Sequence, residues 1–339
     1  MEIINRKRPT KPQPMPYVRW DREGEHMNYA ETIAHETVAL MERDPRVIVM
    51  GAGVTDEKGI FGTTKLAHER FPDRVIETPL SETMLTGALV GLAQNGWKPI
   101  LVHARADFMT LSMEHLINTA AKWGYMGSDA PNLMVRCIIG QGWGNGPQHT
   151  QSTAHWFAAD PGLRTLLPAT IPALKRVYTD IEGPTVVFEH RRLYESEIKG
   201  DMSQYGDPDT ADIQLVGLSA TTLDCIEACA LLRKRGINAE WASMSNPNAS
   251  FPTLRRVVIA DLNNQGLAAD IGIRMMMNGI DSLIVRPPAT PVPASYPLEQ
   301  EWYPTPAHIA NAALRLLGEE SESVVGDIDE PFVPTGGPF

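Results

Sequence analysis

Two side chains in the first half of the chain carry groups suited to moving protons, a carboxylate at Glu82 and an imidazole at His149. Glu82 is the lone charge in the run Leu80-Ser81-Glu82-Thr83-Met84-Leu85-Thr86-Gly87-Ala88-Leu89-Val90-Gly91. A carboxyl in apolar surroundings rises in pKa and stays partly protonated near neutrality, which strengthens a hydrogen bond to a ligand. Thr78, Pro79 and Ser81 are turn residues that place Glu82 in the first turn of a buried helix, at the carboxyl end of a strand Val75 to Glu77. Ligands of α/β sheets bind at that edge. An acid that only meets the helix dipole has the same position, so both readings stand on position alone.

His149 follows the glycine-rich loop Gly140-Gln141-Gly142-Trp143-Gly144-Asn145-Gly146-Pro147, which is able to carry an imidazole to the mouth of a site. A lone histidine is also commonly a satisfied surface or core residue. Phe108 offers an aromatic face for stacking on a heterocycle, or an ordinary core ring.

The elements that must position these groups alternate between strand and helix. Asn28-Tyr29-Ala30-Glu31 reads as a capping box before a helix to Glu42. Apolar strands follow at Val47 to Met50, Val75 to Glu77, Ile100 to His103, Leu133 to Ile138 and Thr185 to Phe188. The alternation predicts a parallel sheet covered on both faces. Lys199 to Asp212, polar and containing Gly200, Gly206 and Pro208, reads as a linker. A second alternation has strands Ile213 to Val216, Arg256 to Ala260 and Ser282 to Val285, and helices Thr221 to Lys234, Leu267 to Asn278 and Pro306 to Leu317. The expected organisation is an arm over 1–26, α/β domains over 27–198 and 213–318 joined by the linker 199–212, and an acidic tail over 319–339.

Composition excludes several classes. The 339 residues support roughly two domains, and a net charge of −11 argues against a general nucleic-acid binder. No apolar run approaches the roughly 20 residues that span a bilayer, and Met1 to Arg8 lacks the apolar segment of a signal peptide, so a cytoplasmic protein is expected. Cys137, Cys225 and Cys229 form neither a disulfide framework nor a zinc set and read as packing residues. Gly51-Ala52-Gly53 after a strand begins a dinucleotide fingerprint, but position 56 is Asp56 rather than glycine, and the ribose-binding acid has no clear counterpart. An NAD-dependent dehydrogenase is therefore a remote alternative.

Three motifs bring the candidate residues together. They are Thr78-Pro79-Leu80-Ser81-Glu82 followed by Gly87 and Gly91; Asp107-Phe108 followed by Ile117-Asn118-Thr119-Ala120-Ala121-Lys122; and Gln148-His149-Thr150-Gln151-Ser152 followed by Pro161-Gly162-Leu163, Pro168, Phe188-Glu189 and Tyr194. On these, the chain over about residues 27 to 318 resembles the beta subunit of thiamine-diphosphate-dependent 2-oxo acid dehydrogenases, of the pyruvate, branched-chain and acetoin dehydrogenase type.

The resemblance implies an α/β fold of two parallel-sheet domains, a pyrimidine-type thiamine-diphosphate-binding domain followed by a transketolase C-terminal-like domain. It implies that Glu82 hydrogen-bonds or protonates the aminopyrimidine, which then serves as the cofactor's own base. The backbone carbonyl of Leu80 would accept from the exocyclic amino group, Phe108 would stack on the ring, and His149 would act on the intermediate after attack on a 2-oxo acid. Family members hold the diphosphate through magnesium at a Gly-Asp-Gly motif, which this chain lacks. The resemblance thus implies a partner alpha subunit carrying magnesium and the diphosphate site, in an α2β2 heterotetramer that decarboxylates a 2-oxo acid and passes the acyl unit to an acceptor.

Departures from the family's pattern keep other readings open. Ala52 and Gly53 stand where the family has an acidic pair, and His103-Ala104-Arg105 where it is mainly apolar or acidic. Ser243-Met244-Ser245-Asn246-Pro247 replaces an Asp-Leu-Arg run, and Ala260-Asp261 a His-Glu pair. These last changes bear on subunit pairing and on docking of a lipoyl acyltransferase. A split transketolase-like ketol transferase subunit and a catalytically degenerate scaffold are the alternatives. His103 and Arg105 read either as polar pocket lining or as surface residues.

Overall fold

Strands buried at every position, rich in Val, Ile and Leu, are what a parallel sheet covered on both faces requires. The computed structural model describes residues 27–141, 144–199, 210–249, 254–263 and 266–319. The arm over 1–26, Gly142 and Trp143 of the glycine-rich loop, linker residues 200–209 and tail residues 320–339 lie outside the described residues.

The first sheet holds β1 (Val47–Gly51), β2 (Val75–Glu77), β3 (Lys98–His103), β4 (Leu133–Ile139), β5 (Arg164–Leu166) and β6 (Pro184–His190). Its order is β2-β1-β3-β4-β6-β5, with every pairing parallel. The second sheet holds β7 (Ile213–Gly217), β8 (Ala239–Ser243), β9 (Arg256–Ala260) and β10 (Asp281–Val285), again parallel, in the order β10-β9-β7-β8. The chain moves outward from β1 to β2 and then crosses to β3 on the other side of β1. This is the topological switch at which α/β sheets open a crevice.

The Asn28 capping box is present, and its helix runs to Arg43, one residue past the expected end. Two strands and a helix were not expected. β5 is three residues long with Arg164 exposed, and β8 reads Ala-Glu-Trp-Ala-Ser without an apolar run. The helix Tyr296–Trp302 arises among prolines because Ser295 caps it and Pro297 sits in its first turn, where a missing N–H costs nothing.

The two sheets share one core. Phe157, Leu163 and Leu167 of the first layer pack with Val216, Leu218 and Met244 of the second. Leu167 N–H donates to the Ser245 carbonyl at 2.7 Å, and Arg192 grips Asp224 with two bonds of 2.9 Å. Cys225 and Cys229 are buried in a third cluster between β7–β9 and the helices Thr221–Arg233 and Pro306–Leu317, and Cys137 lies buried on β4.

Under the β1 loop lies a fully buried ion pair. Arg136 donates to Glu189 at 2.6 and 3.0 Å and to Thr63 Oγ1 at 3.0 Å, while Tyr194 OH donates to Glu189 at 3.1 Å. Glu189 and Tyr194, noted above only as parts of a motif, thus support the loop structurally. Among the described residues no helix is long and apolar enough to cross a membrane.

Candidate active site

The carboxyl ends of β2, β1, β3 and β4 are neighbours, and the segments leaving them close around one cleft of about 510 Å³. Gly51 ends β1 and Ala52 follows it, Leu80 to Glu82 follow β2, His103 ends β3 with Arg105 and Phe108 beyond it, and His149 comes from the loop after β4. All four residues expected to act, Leu80, Glu82, Phe108 and His149, line this cleft. At Gly51 a Cβ would stand 2.6 Å from the Val102 carbonyl oxygen, so only glycine permits this close approach of strand ends.

Glu82 is the first residue of the helix Glu82–Gln94, as expected, but it is half-buried rather than enclosed. Leu80 is 82% exposed and Met84 53%, so the apolar surroundings expected for the carboxyl are not furnished by this chain alone. The helix start is tied down by Thr83 Oγ1, which donates to the Leu111 carbonyl at 2.8 Å.

Phe108 lies in a tight helical stretch Ala106–Ser112, which widens into a π-type turn over Glu114–Ala120, a form that recurs at functional sites. Its ring is 37% exposed and stands edge-on to His149, centroids 5.7 Å apart. Asp107 fixes this arrangement. Its Oδ1 accepts from the Gln151 backbone N–H at 2.9 Å and from Gln151 Nε2 at 3.2 Å, joining the two segments. Burial raises the Asp107 carboxyl pKa, with the bonds from Gln151 opposing. His149 N–H donates to the Gly146 carbonyl at 3.2 Å, and Thr150 Oγ1 to the same oxygen at 2.6 Å, so the loop ends in a defined turn.

Two cleft residues left ambiguous by sequence are resolved. His103 is 6% exposed and Arg105 half-buried, and both line the cleft rather than the open surface. Burial holds the His103 imidazole down to about 4, so it is neutral at ordinary pH. Its partner Ser112 was missed by sequence reasoning. Nine residues separate them across an irregular stretch, which leaves no periodic signal.

The glycine-rich turn after β1 does not present a phosphate cradle. Gly53 N–H and Thr55 N–H donate to the Glu77 carboxylate at 2.6 and 3.1 Å, and Thr55 Oγ1 adds a bond of 2.9 Å. Against the opposing effect of burial, these bonds hold the Glu77 carboxyl below its ordinary value. The donors that a dinucleotide pyrophosphate would need are already occupied by an anion, and the next helix begins only at Lys65. The nicotinamide alternative loses its site.

The family described as transketolase, pyrimidine binding domain, matches residues 25–197. The beta subunit of acetoin:2,6-dichlorophenolindophenol oxidoreductase from Cupriavidus necator is 31% identical over 315 residues, covering 82% of this chain and 93% of the relative. The chain belongs to the beta subunits of the thiamine-diphosphate-dependent 2-oxo acid dehydrogenases. The 2-oxoisovalerate dehydrogenase beta subunit of Bacillus subtilis is 31% identical, covering 71% of this chain and 77% of the relative. The mitochondrial pyruvate dehydrogenase E1 beta subunit of Dictyostelium discoideum is 30% identical, covering 81% and 87%. A split-gene transketolase, solved as an inactive beta4 tetramer, superposes with a TM-score of 0.66 at 18% identity over 87% of this chain and 99% of its own, a likeness of fold.

As a 2-oxo acid dehydrogenase beta subunit, the chain should offer a seat for the aminopyrimidine half of thiamine diphosphate. The donor set fits that half. The cleft has a carboxyl on its rim, a partly exposed aromatic face, and an otherwise mainly apolar wall. For the diphosphate half the described residues contain no group of three or more His, Cys, Asp or Glu side chains able to hold a metal ion.

Proposed function

We propose that this chain is the pyrimidine-holding half of a two-chain enzyme that decarboxylates a 2-oxo acid and transfers the acyl unit to a lipoyl or other acceptor. The observation that carries it is the convergence of Leu80, Glu82, Phe108 and His149, from three separate segments, on one cleft at the sheet's switch point.

In this reading the cofactor, when bound, supplies a carbon nucleophile that attacks the 2-oxo group. The chain's own residues do the rest. Glu82 hydrogen-bonds the pyrimidine ring nitrogen and shares a proton with it. Phe108 packs on the ring face, fixing its orientation and excluding water. The Leu80 carbonyl orients the amino group, and His149 stabilises or protonates the reacting substrate as general acid.

The exposed apolar residues Leu80 and Leu111 of the cleft lining, with exposed Met84 on the helix that Glu82 begins, support an alpha subunit as the lid, since exposed apolar side chains at a cleft mark a covered surface. We assign the diphosphate and magnesium to that subunit and the assembly to α2β2. Covering Glu82 would also supply the low-dielectric surroundings that this chain alone lacks.

Reconstitution tests the reading. With an alpha subunit, thiamine diphosphate and magnesium, the complex should decarboxylate 2-oxo acids in the presence of an artificial electron acceptor, and neither chain alone should. Full activity of this chain by itself would refute it.

A further inference from the structure

Among the described residues, His103, the last of β3, is the one deeply buried titratable side chain on the cleft wall. Its Nε2 lies 3.3 Å from Ser112 Oγ, which lies 2.8 Å from Thr86 Oγ1, which lies 2.7 Å from the backbone carbonyl oxygen of Glu82. A carbonyl only accepts. The single Thr86 hydroxyl proton therefore goes to Glu82, the Ser112 proton goes to Thr86, and Ser112 Oγ must receive an N–H from His103. This relay fixes one tautomer, with the proton on Nε2 and a lone pair on Nδ1.

Burial keeps the ring uncharged, with a pKa of about 4, so Nδ1 remains an acceptor through the neutral range. Among the described residues Nδ1 has no hydrogen-bond partner. A simple 2-oxo acid presents only acceptors near its reacting carbon, the ketone and the carboxylate, and its alkyl chain would leave Nδ1 unsatisfied. A hydroxyl in that place satisfies it.

We propose that His103 is a specificity-determining residue whose Nδ1 accepts a hydrogen bond from a hydroxyl adjacent to the substrate's reacting carbonyl. The inference rests on the cleft being the thiamine-diphosphate and substrate site. The shared chemistry is a hydroxyl beside a carbonyl, supplied either by a hydroxylated 2-oxo acid or by a 2-hydroxyketone. An acceptor that substrate binding removes from water favours the ligand that brings a donor, and one neutral hydrogen bond corresponds to roughly a ten-fold preference.

The test uses the complex reconstituted with its alpha subunit. Its kcat/KM is compared for hydroxypyruvate against 2-oxobutanoate, and for 3-hydroxybutan-2-one against butane-2,3-dione. At least one pair should favour the hydroxyl compound by roughly ten-fold, and which pair does so identifies the source. His103→Leu should abolish that preference, and His103→Asn, whose Oδ1 stands near the Nδ1 position, should retain much of it. Ser112→Ala, which leaves the ring in place but frees its tautomer, should weaken it. All three should bind thiamine diphosphate as the wild type does.

Nitrogen NMR of the histidine-labelled chain should show the Nε2–H tautomer for His103. An Nδ1–H tautomer, a preference that survives in His103→Leu, no preference in either pair, or loss of cofactor affinity in the variants overturns the proposal. Absence of thiamine-dependent turnover of all four compounds by the wild type overturns the underlying reading as well.

Discussion

The Phe108 ring meets the His149 imidazole edge-on, with centroids 5.7 Å and planes 78° apart. The two residues sit on different segments, and the Asp107–Gln151 hydrogen bonds between those segments set the geometry. The ring proposed to seat the cofactor and the imidazole proposed to face the substrate are thereby held by one buried carboxylate. Substitutions at the two positions should nonetheless separate, since the role proposed for Phe108 is binding and that proposed for His149 is turnover.

Phe108→Ala removes the stacking face. Thiamine diphosphate should bind the reconstituted complex roughly ten-fold more weakly, following from an aromatic contact of about 0.5–1.5 kcal/mol with its buried area added. Titration calorimetry measures it, and unchanged affinity would remove Phe108 from the cofactor seat.

His149→Ala should keep wild-type cofactor affinity while turnover falls by roughly 10²–10⁴, the usual contribution of a positioned acid–base group. Steady-state kinetics with saturating thiamine diphosphate checks this. Retained turnover would exclude His149 from the chemistry.

Much of this arrangement is legible in the sequence because each candidate residue follows a strand end. The strands at Val47, Val75 and Leu133 are apolar runs, and the segments that leave them must meet on one sheet edge. β5 and β8 escaped because Arg164 is exposed and β8 has no apolar run, so neither carries the pattern of a buried strand. The environment of Glu82 was the larger miss. Apolar neighbours along the chain do not enclose a side chain when Leu80 and Met84 themselves face outward. The bond between His103 and Ser112 depends on the turn over Ala106–Ser112, which no local periodicity announces.

The Arg136–Glu189 pair is fully buried, so each charge depends on the other. Glu189→Gln should destabilise the chain by about 3–5 kcal/mol, because an uncompensated guanidinium remains inside. The double replacement Arg136→Met with Glu189→Leu should recover much of that loss. Urea denaturation of the three proteins tests this, and a double variant no more stable than Glu189→Gln would contradict it.

Asp261 follows β9 directly and is buried, which pushes its pKa up to about 7. Between the unfolded value of 3.8 and about 7 the folded chain keeps a proton that the unfolded chain has lost. Rising pH therefore costs stability through that window, at most about 1.4 kcal/mol per pH unit, and nothing further above it. Asp261→Asn should remove this dependence. Its stability relative to wild type should grow from pH 4 to 7 and then level off, and a pH-independent difference would show that Asp261 does not titrate as described.

Glu82 remains the centre of the account. In the reconstituted complex with thiamine diphosphate, exchange of the thiazolium carbon proton for deuterium can be followed by quenched-flow NMR in wild type and in Glu82→Gln. The amide cannot give a proton to the pyrimidine nitrogen as a carboxyl does, so exchange should slow by roughly 10²-fold or more while the cofactor stays bound. Exchange at the wild-type rate would contradict the role assigned to this side chain.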